Sequence, residues 1–237
     1  MEKWLLFAKE HWGIDLSAAQ QAMFAVYESE LMLWNEKMNL TAVRDTEGIR
    51  IKHFLDSLTC AQVLGDMNGR ALIDIGTGAG FPGIPLKILF PEMRLVLVDS
   101  VGKKVDFCRH MLEKLCLQDS LALQARAEDL GLAEAHRERY DAAVARAVAG
   151  LPVLCEYLLP LVRPGGCILA QKGESAPDEA AQAEKAIRIL GGGPAALTPV
   201  DLPGLEDRRY LIRIPKDRPT PPGFPRRTGV PSRMPIL

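Results

Sequence analysis

The stretch Ala71–Gly83, ALIDIGTGAGFPG, decides how the rest of the chain is read. Its first five residues are apolar except for Asp74, the pattern of a parallel strand buried on both faces. Four glycines, Gly76, Gly78, Gly80 and Gly83, then fall within eight residues. A turn this rich in glycine lets backbone N–H groups approach a ligand with no Cβ in the way. Pro82 and the apolar Ile84, Leu86, Ile88 and Leu89 follow as a helix, proline being tolerated in its first turn. The spacing predicts a strand, a glycine loop and a helix.

Two ligand classes use such a unit. Gly76-x-Gly78-x-Gly80 is the spacing of S-adenosylmethionine (SAM) methyltransferases, and Gly78-x-Gly80-x-x-Gly83 matches the dinucleotide fingerprint. Asp74 favours SAM, because an acid at the carboxyl end of the strand repels a pyrophosphate but attracts a sulfonium and an ammonium.

Around this unit the chain has 237 residues, enough for one large α/β domain and a small appendage. A net charge of −1, with 48% hydrophobic and 25% charged residues, gives no overall pull toward nucleic acid or membrane, so local charge decides. Cys60, Cys108, Cys116, Cys155 and Cys167 lie in apolar settings, form no C-x-x-C pair and read as free buried thiols of a reducing cytosol. Apolar Trp4–Ala8 is flanked too closely by Glu2, Lys3, Lys9 and Glu10 for a signal peptide or membrane span, so a cytoplasmic protein is expected. The four histidines lack metal-ligand spacing, and no metal is expected.

Residues 1–68 read as a helical region. Ser17 and Gln20 make a capping box ahead of a core stripe of Met23, Val26, Tyr27, Leu31 and Trp34. A second helix is predicted over Thr46–Leu64, with Ile51, Phe54, Leu55 and Leu58 on one face. Trp34–Thr41, with two asparagines, reads as a polar loop between them.

Over residues 69–214 strands and helices alternate, the signature of a parallel sheet covered on both sides. The second strand, Leu95–Val98, ends in Asp99, which can accept from both ribose hydroxyls of a nucleoside or cap the helix Gly102–Leu115. After a third strand, Leu121–Gln124, the backbone of Ala127 and the side chain of Glu128 can read an adenine edge. The fourth strand, Tyr140–Ala145, delivers Arg146 either to the ligand rim or to a structural acid. A helix over Leu151–Val162 is expected to stop in a tight turn at Arg163-Pro164-Gly165-Gly166 before a fifth strand, Cys167–Gln171, which brings Lys172 to the same rim. An alanine-rich helix after Pro177 ends at three glycines, and Leu197–Leu202 with Arg209–Ile214 form an antiparallel hairpin, an ending that favours a methyltransferase over a dehydrogenase. In residues 215–237 recurrent prolines forbid regular structure, while Lys216, Arg218, Arg226, Arg227 and Arg233 make the tail basic, either an RNA phosphate contact or solvated chain.

Taken together, Asn39-Leu40-Thr41, His53-Phe54-Leu55-Asp56-Ser57-Leu58, Asp74–Gly83, Asp99-Ser100 with Lys103-Lys104, and Phe224-Pro225-Arg226-Arg227 resemble the RsmG (GidB) family of bacterial ribosomal RNA methyltransferases. The resemblance spans nearly the whole chain. It implies a Rossmann-like SAM-dependent methyltransferase fold, with a mostly parallel seven-stranded sheet and an antiparallel C-terminal strand. It further implies methylation at N7 of guanine 527 in the 530 loop of 16S rRNA, as free RNA or in the 30S subunit. Under it, Gly76, Phe81, Ala127, Glu128 and Arg146 contact the cofactor and Asp99 its ribose, beside Asp74, Gly78 and Gly80, which the glycine unit itself places toward the ligand. Asn39, Lys172, Arg226 and Arg227 face RNA, and a monomer is expected. No catalytic base is assigned, because guanine N7 carries a lone pair and no proton. His53 and Asp56, one helical turn apart, either shape the rim or form a structural pair. The glycine register alone leaves a NAD-dependent oxidoreductase open, and the basic tail alone leaves a non-catalytic RNA-binding protein open.

Overall fold

A computed structural model describes residues 2–237. Two helices open the chain, α1 (Lys3–Trp12) and α2 (Ala18–Met38). The capping box is present: Ser17 Oγ accepts from Gln20 N at 3.3 Å and Gln20 Oε1 accepts from Ser17 N at 2.9 Å. The buried face of α2 is Phe24, Tyr27, Leu31 and Asn35, one stripe at helical spacing. Val26 of the predicted stripe is therefore turned outward, and Phe24 fills its place.

Helix α2 also runs on through most of the stretch read as a polar loop. Asn35 can lie buried in it because its amide is fully engaged: Nδ2 donates to Thr41 O at 3.0 Å and Oδ1 accepts from Thr41 N at 2.9 Å. The helix ends at Asn39, whose φ of 49° is the left-handed C-cap that asparagine tolerates. The second predicted helix is likewise not one rod. Short α3 (Thr46–Ile49) passes into a π-helical segment, Arg50–Leu55, then into α4 (Asp56–Leu58) and, past a turn, α5 (Ala61–Leu64). A π turn widens the helix by about one residue, and such segments gather at functional sites.

The strands are β1 (Ala71–Ile75), β2 (Arg94–Asp99), β3 (Ser120–Gln124), β4 (Tyr140–Arg146), β5 (Val162–Lys172), β6 (Ala196–Val200) and β7 (Arg209–Pro215). They form one seven-stranded sheet in the order β3-β2-β1-β4-β5-β7-β6. The first five are parallel, whereas β7 is antiparallel to both β5 and β6. Every residue of β1 is buried, as its apolar run requires. Helices α6 (Gly83–Leu89), α7 (Gly102–Lys114), α8 (Ala127–Leu132), α9 (Leu151–Leu158) and α10 (Ala176–Ile189) cover the sheet. One core joins α2 and the π segment to the sheet through Phe24, Tyr27, Phe54, Ile84, Leu97 and Phe107. The other face holds Ile73, Ala143, Leu154, Ile168 and Ala183.

Two boundaries depart from the sequence reading. The helix expected to reach Val162 ends at Leu158, a 3-10 turn covers Leu159–Leu161, and Arg163-Pro164-Gly165-Gly166 belongs to β5 rather than to a turn ahead of it. The pairing of β4 with β5 shifts register between Tyr140 and Ala142, which absorbs the irregular segment. The C-terminal tail contains a short helix, α11 (Val230–Arg233), with Pro231 in its first turn, and is pinned to the body of the protein. No helix among the described residues is long and apolar enough to cross a membrane.

Candidate functional site

From β1 the chain moves outward to β2 and β3 on one side and returns to β4 and β5 on the other. The crevice at such a switch point, beyond the carboxyl ends of the strands, is where open α/β sheets bind ligands. Along that edge lie the glycine loop after β1, Asp99 at the end of β2, Ala127 and Glu128 after β3, and Arg146 at the end of β4.

The three glycines of the loop differ in what they make room for. A Cβ on Gly76 would lie 2.4 Å from Val148 Cγ2, and one on Gly80 would lie 2.5 Å from Ile84 Cδ1 and 2.7 Å from the Tyr27 hydroxyl. Those two are glycine because neighbours occupy the space, and they can offer a ligand backbone only. Gly78 has φ +60° and no atom within 4 Å of where its Cβ would be, so its face is open. Its N–H donates to Asp99 Oδ2 at 3.0 Å, and Asp99 Oδ1 accepts from Val101 N at 2.9 Å. Asp99 thus braces the loop against the start of α7, with Lys104 Nζ 3.8 Å away.

Asp74 is fully buried beneath the loop. Its Oδ2 accepts from Thr77 Oγ1 at 2.7 Å and from Gly83 N at 2.9 Å, while Oδ1 has no partner. Burial raises its pKa to about 6, against the opposing pull of the Thr77 and Gly83 hydrogen bonds and of Arg146. Tyr27, which reads in the sequence only as a core residue, donates its hydroxyl to Ala79 O and so ties α2 to the loop. Burial holds its phenol well above the ordinary value, so it remains a donor.

Arg146 is organised by the helical region. Its Nη1 donates to Asp56 Oδ2 at 2.9 Å and to Lys52 O at 3.0 Å, and its Nη2 lies 3.3 Å from His53 Nδ1. The guanidinium sits 5.0 Å from the centroid of Phe81, whose ring stacks on His53 at 4.6 Å and on Tyr27 at 5.2 Å. Phe81 is thereby almost wholly buried. Asp56, itself buried, also receives Arg209 Nη1 at 3.2 Å. Arg209 was not singled out in the sequence, where its partner lies 153 residues away. Beside this cluster opens a cleft of about 420 Å³ lined by Asp56, Arg146, Gln171, Lys172, Arg209 and Tyr210.

The remaining candidates differ in setting. Glu128 is buried, and its Oε1 accepts from Gly229 N of the tail at 2.9 Å. Asn39 is exposed and serves as a helix cap. Lys172, mostly buried, donates to Ala149 O and pairs with Glu179 at 2.7 Å. Arg226 places its Nη2 2.6 Å from Glu156 Oε2 and its backbone N 2.7 Å from Oε1. Lys172 and Arg226 thus have intramolecular partners, a reason for charge at these positions other than RNA. Arg227 is exposed and makes no ion pair among the described residues.

The pH response of this region has a definite sign. Burial, then the nearby Arg146 charge, lowers the His53 pKa from 6.5 to about 3. The unfolded chain therefore binds a proton first as pH falls below 6.5, and His53 makes the fold less stable on acidification. Asp74 acts in reverse: the folded state holds a proton between 3.8 and about 6, so its contribution weakens as pH rises through that window. Between about pH 4 and 6 the two slopes oppose, each at most about 1.4 kcal/mol per pH unit. Asp74→Asn should unmask the His53 slope, so that stability falls more steeply from pH 6 to 4 than in the parent, as urea titrations at several pH values would read. Parallel profiles for the two proteins would contradict this assignment.

The sheet order and the glycine loop at its switch point define the Rossmann-like fold of SAM-dependent methyltransferases. Solved structures share it: an O-methyltransferase from Bacillus cereus in complex with SAH aligns with a TM-score of 0.56 at 19% identity, over 89% of this chain and 96% of that one. A point mutant of the 16S rRNA (adenine(1408)-N(1))-methyltransferase from Catenulisporales acidiphilia aligns with a TM-score of 0.53 at 16% identity, over 70% and 92%. Sequence comparison is more specific. Residues 20–203 match the family model for rRNA small subunit methyltransferase G, GidB. Proteins named ribosomal RNA small subunit methyltransferase G are 52% identical in Roseiflexus sp. (strain RS-1), over 98% of both chains, and 45% identical in Acetivibrio thermocellus, over 100% of this chain and 97% of that one. The chain belongs to this family of small-subunit rRNA methyltransferases.

Proposed function

We propose that the protein transfers a methyl group from SAM to N7 of guanine 527 in the 530 loop of 16S rRNA. The observation that carries the cofactor side is the open face of Gly78, held in place by Asp99. A nucleoside can approach that backbone closely, and each oxygen of Asp99, already accepting one bond, keeps acceptor capacity for a ribose hydroxyl. Ala127 and Glu128 hold the adenine end. Asp74, ionised at neutral pH with one oxygen unpartnered, places negative potential under the loop, and Arg146 with Phe81 closes the rim on the β4 side.

When bound, SAM supplies a methyl group on a sulfonium, already activated for transfer. Guanine N7 attacks with its own lone pair, so no residue need remove a proton. What the chain must do is align the two and favour positive charge on the purine. Asp74 and the loop carbonyls suit that task. Arg146 does not oppose it strongly, because Asp56 compensates its charge. Of the RNA candidates, exposed Arg227 and Asn39 are the ones with side chains presented to solvent.

The reading is tested by mapping N7-methylguanine in 16S rRNA, through chemical cleavage at the modified base, from a strain lacking the protein. Loss of modification at guanine 527, restored by purified protein with SAM and rRNA or 30S subunits, is the expected result. Persistent methylation there would refute it. Calorimetry with SAM and with NAD checks the cofactor separately.

Asp99→Ala should weaken SAM binding by about 1–3 kcal/mol through loss of charge-assisted ribose hydrogen bonds. Because Asp99 also anchors Gly78 N, a dideoxyribose analogue should lose some affinity as well, but less. Equal losses for the two ligands would remove the ribose assignment.

A further inference from the structure

The tail stood out in the sequence for its prolines and arginines, and the methyl-transfer reading gives it no part beyond an RNA contact. Its contacts place it elsewhere. Arg137, just beyond α8, donates to Phe224 O at 2.6 Å and to Thr220 O at 2.8 Å. Pro225 packs so closely on α8 that a Cβ on Gly131 would lie 2.8 Å from its Cγ. Arg226 then clamps Glu156 of α9. Thr228 Oγ1 bonds Asp129 Oδ1 at 2.7 Å, and Gly229 N donates to Glu128 Oε1 at 2.9 Å. The segment crosses from α9 to the first turn of α8, and there one of its contacts falls on the side chain assigned to the adenine edge.

Glu128 is 3% exposed, so the direction of its carboxylate is set by whichever donors reach it. The donor found is the tail amide. Gly229, at φ +81°, holds a left-handed conformation that presents this N–H to Glu128 while the chain turns into α11. One carboxylate oxygen is fixed by the tail, and a second acceptor oxygen is left to meet an exocyclic amine.

We infer that residues 228–237 form a strap that positions Glu128 and thereby sets affinity and base preference at the adenine end of the cofactor site. This rests on the assignment of Ala127 and Glu128 to adenine made above. The strap acts through Glu128 and touches no reacting atom, so it governs cofactor binding rather than the chemical step.

The experiment ends the chain after Arg227, which keeps the Arg226–Glu156 pair and removes Thr228 and Gly229. Affinities for S-adenosylhomocysteine and S-inosylhomocysteine, in which the adenine amine is replaced by a carbonyl, are measured by calorimetry for the full chain and the truncated one. The full chain should prefer the adenosyl ligand. Truncation should weaken that ligand about tenfold, the size of one lost hydrogen bond to a charged group, and largely abolish the preference. Turnover at saturating SAM should stay within about twofold. A merely structural tail would weaken both ligands together, and a tail serving RNA alone would change the KM for rRNA with both affinities intact; either result overturns the strap. If the truncated chain fails to fold, full-length Glu128→Gln decides, since it keeps an acceptor for Gly229 N but loses charge: an unchanged base preference overturns the proposal. A full chain that binds both ligands equally removes the adenine assignment itself, and one that binds neither removes the cofactor reading; both failures are distinct from the strap's.

Discussion

Arg226→Ala is expected to lower the unfolding free energy by about 3 kcal/mol, the low end for breaking a buried pair, because it leaves the buried Glu156 carboxylate without its half-buried partner. Glu156 is 1% exposed, and its carboxylate draws hydrogen bonds from Arg226 N, Nε and Nη2. Alanine would retain the backbone donor alone and leave a negative charge inside α9 with no other ion-pair partner among the described residues. Arg226→Lys should recover only part of the loss, because an ammonium cannot reproduce the fork that meets both oxygens. Replacing both members, as Glu156→Leu with Arg226→Met, should come back to within about 1–2 kcal/mol of the parent, since neither desolvated charge remains. Urea unfolding followed by far-UV circular dichroism measures all four proteins. A loss below about 1 kcal/mol for Arg226→Ala would show that Glu156 finds water, and the clamp would then have little energetic weight.

That clamp also shows why the sequence is a better guide to the sheet than to the site. Buried parallel strands are written locally, as in Ala71–Ile75, where the apolar run and its fully buried strand coincide. The capping box at Ser17 and Gln20 and the three-glycine stop after α10 are local too, and all were legible. Arg226, set among prolines, reads as an RNA phosphate contact or as solvated chain, because its partner Glu156 lies 70 residues away. Asp56 reads locally with His53, one helical turn away, whereas its ion-pair partners Arg146 and Arg209 lie 90 and 153 residues off. The π segment leaves no composition signal, since its hydrogen-bond shift is a matter of backbone register. For the glycine loop the sequence gives the ligand-approach reading to every glycine equally. Only the packing of Val148, Tyr27 and Ile84 separates Gly78, with its open face, from Gly76 and Gly80.

Asp56→Ala should be the most damaging single change in the helical region, costing about 3 kcal/mol or more in stability and most of the methyl transfer. Asp56 is 2% exposed and compensates two guanidiniums, Arg146 at 2.9 Å and Arg209 at 3.2 Å. Without it, two like charges face one another across a desolvated cluster, and neither has another carboxylate partner among the described residues. The damage would not stay local. Arg146 is held over Phe81 by the same ion pair, and Phe81 belongs to the glycine loop, stacked between His53 and Tyr27. Releasing Arg146 therefore loosens the β4 side of the crevice while leaving Asp99 and Gly78 on the β2 side untouched. The expected signature is a fall in rRNA methylation together with a fall in SAM affinity, since Arg146 and Phe81 close the cofactor crevice on that side. Asp56→Asn, which keeps the shape and two acceptor lone pairs but not the charge, should lie between alanine and the parent in both measurements. Calorimetry with SAM, methylation kinetics and urea unfolding on the same three proteins separate the terms. If Asp56→Ala kept the parent's unfolding midpoint and its methylation rate, the Arg146–Asp56–Arg209 cluster would be an incidental surface pairing rather than the brace of the site.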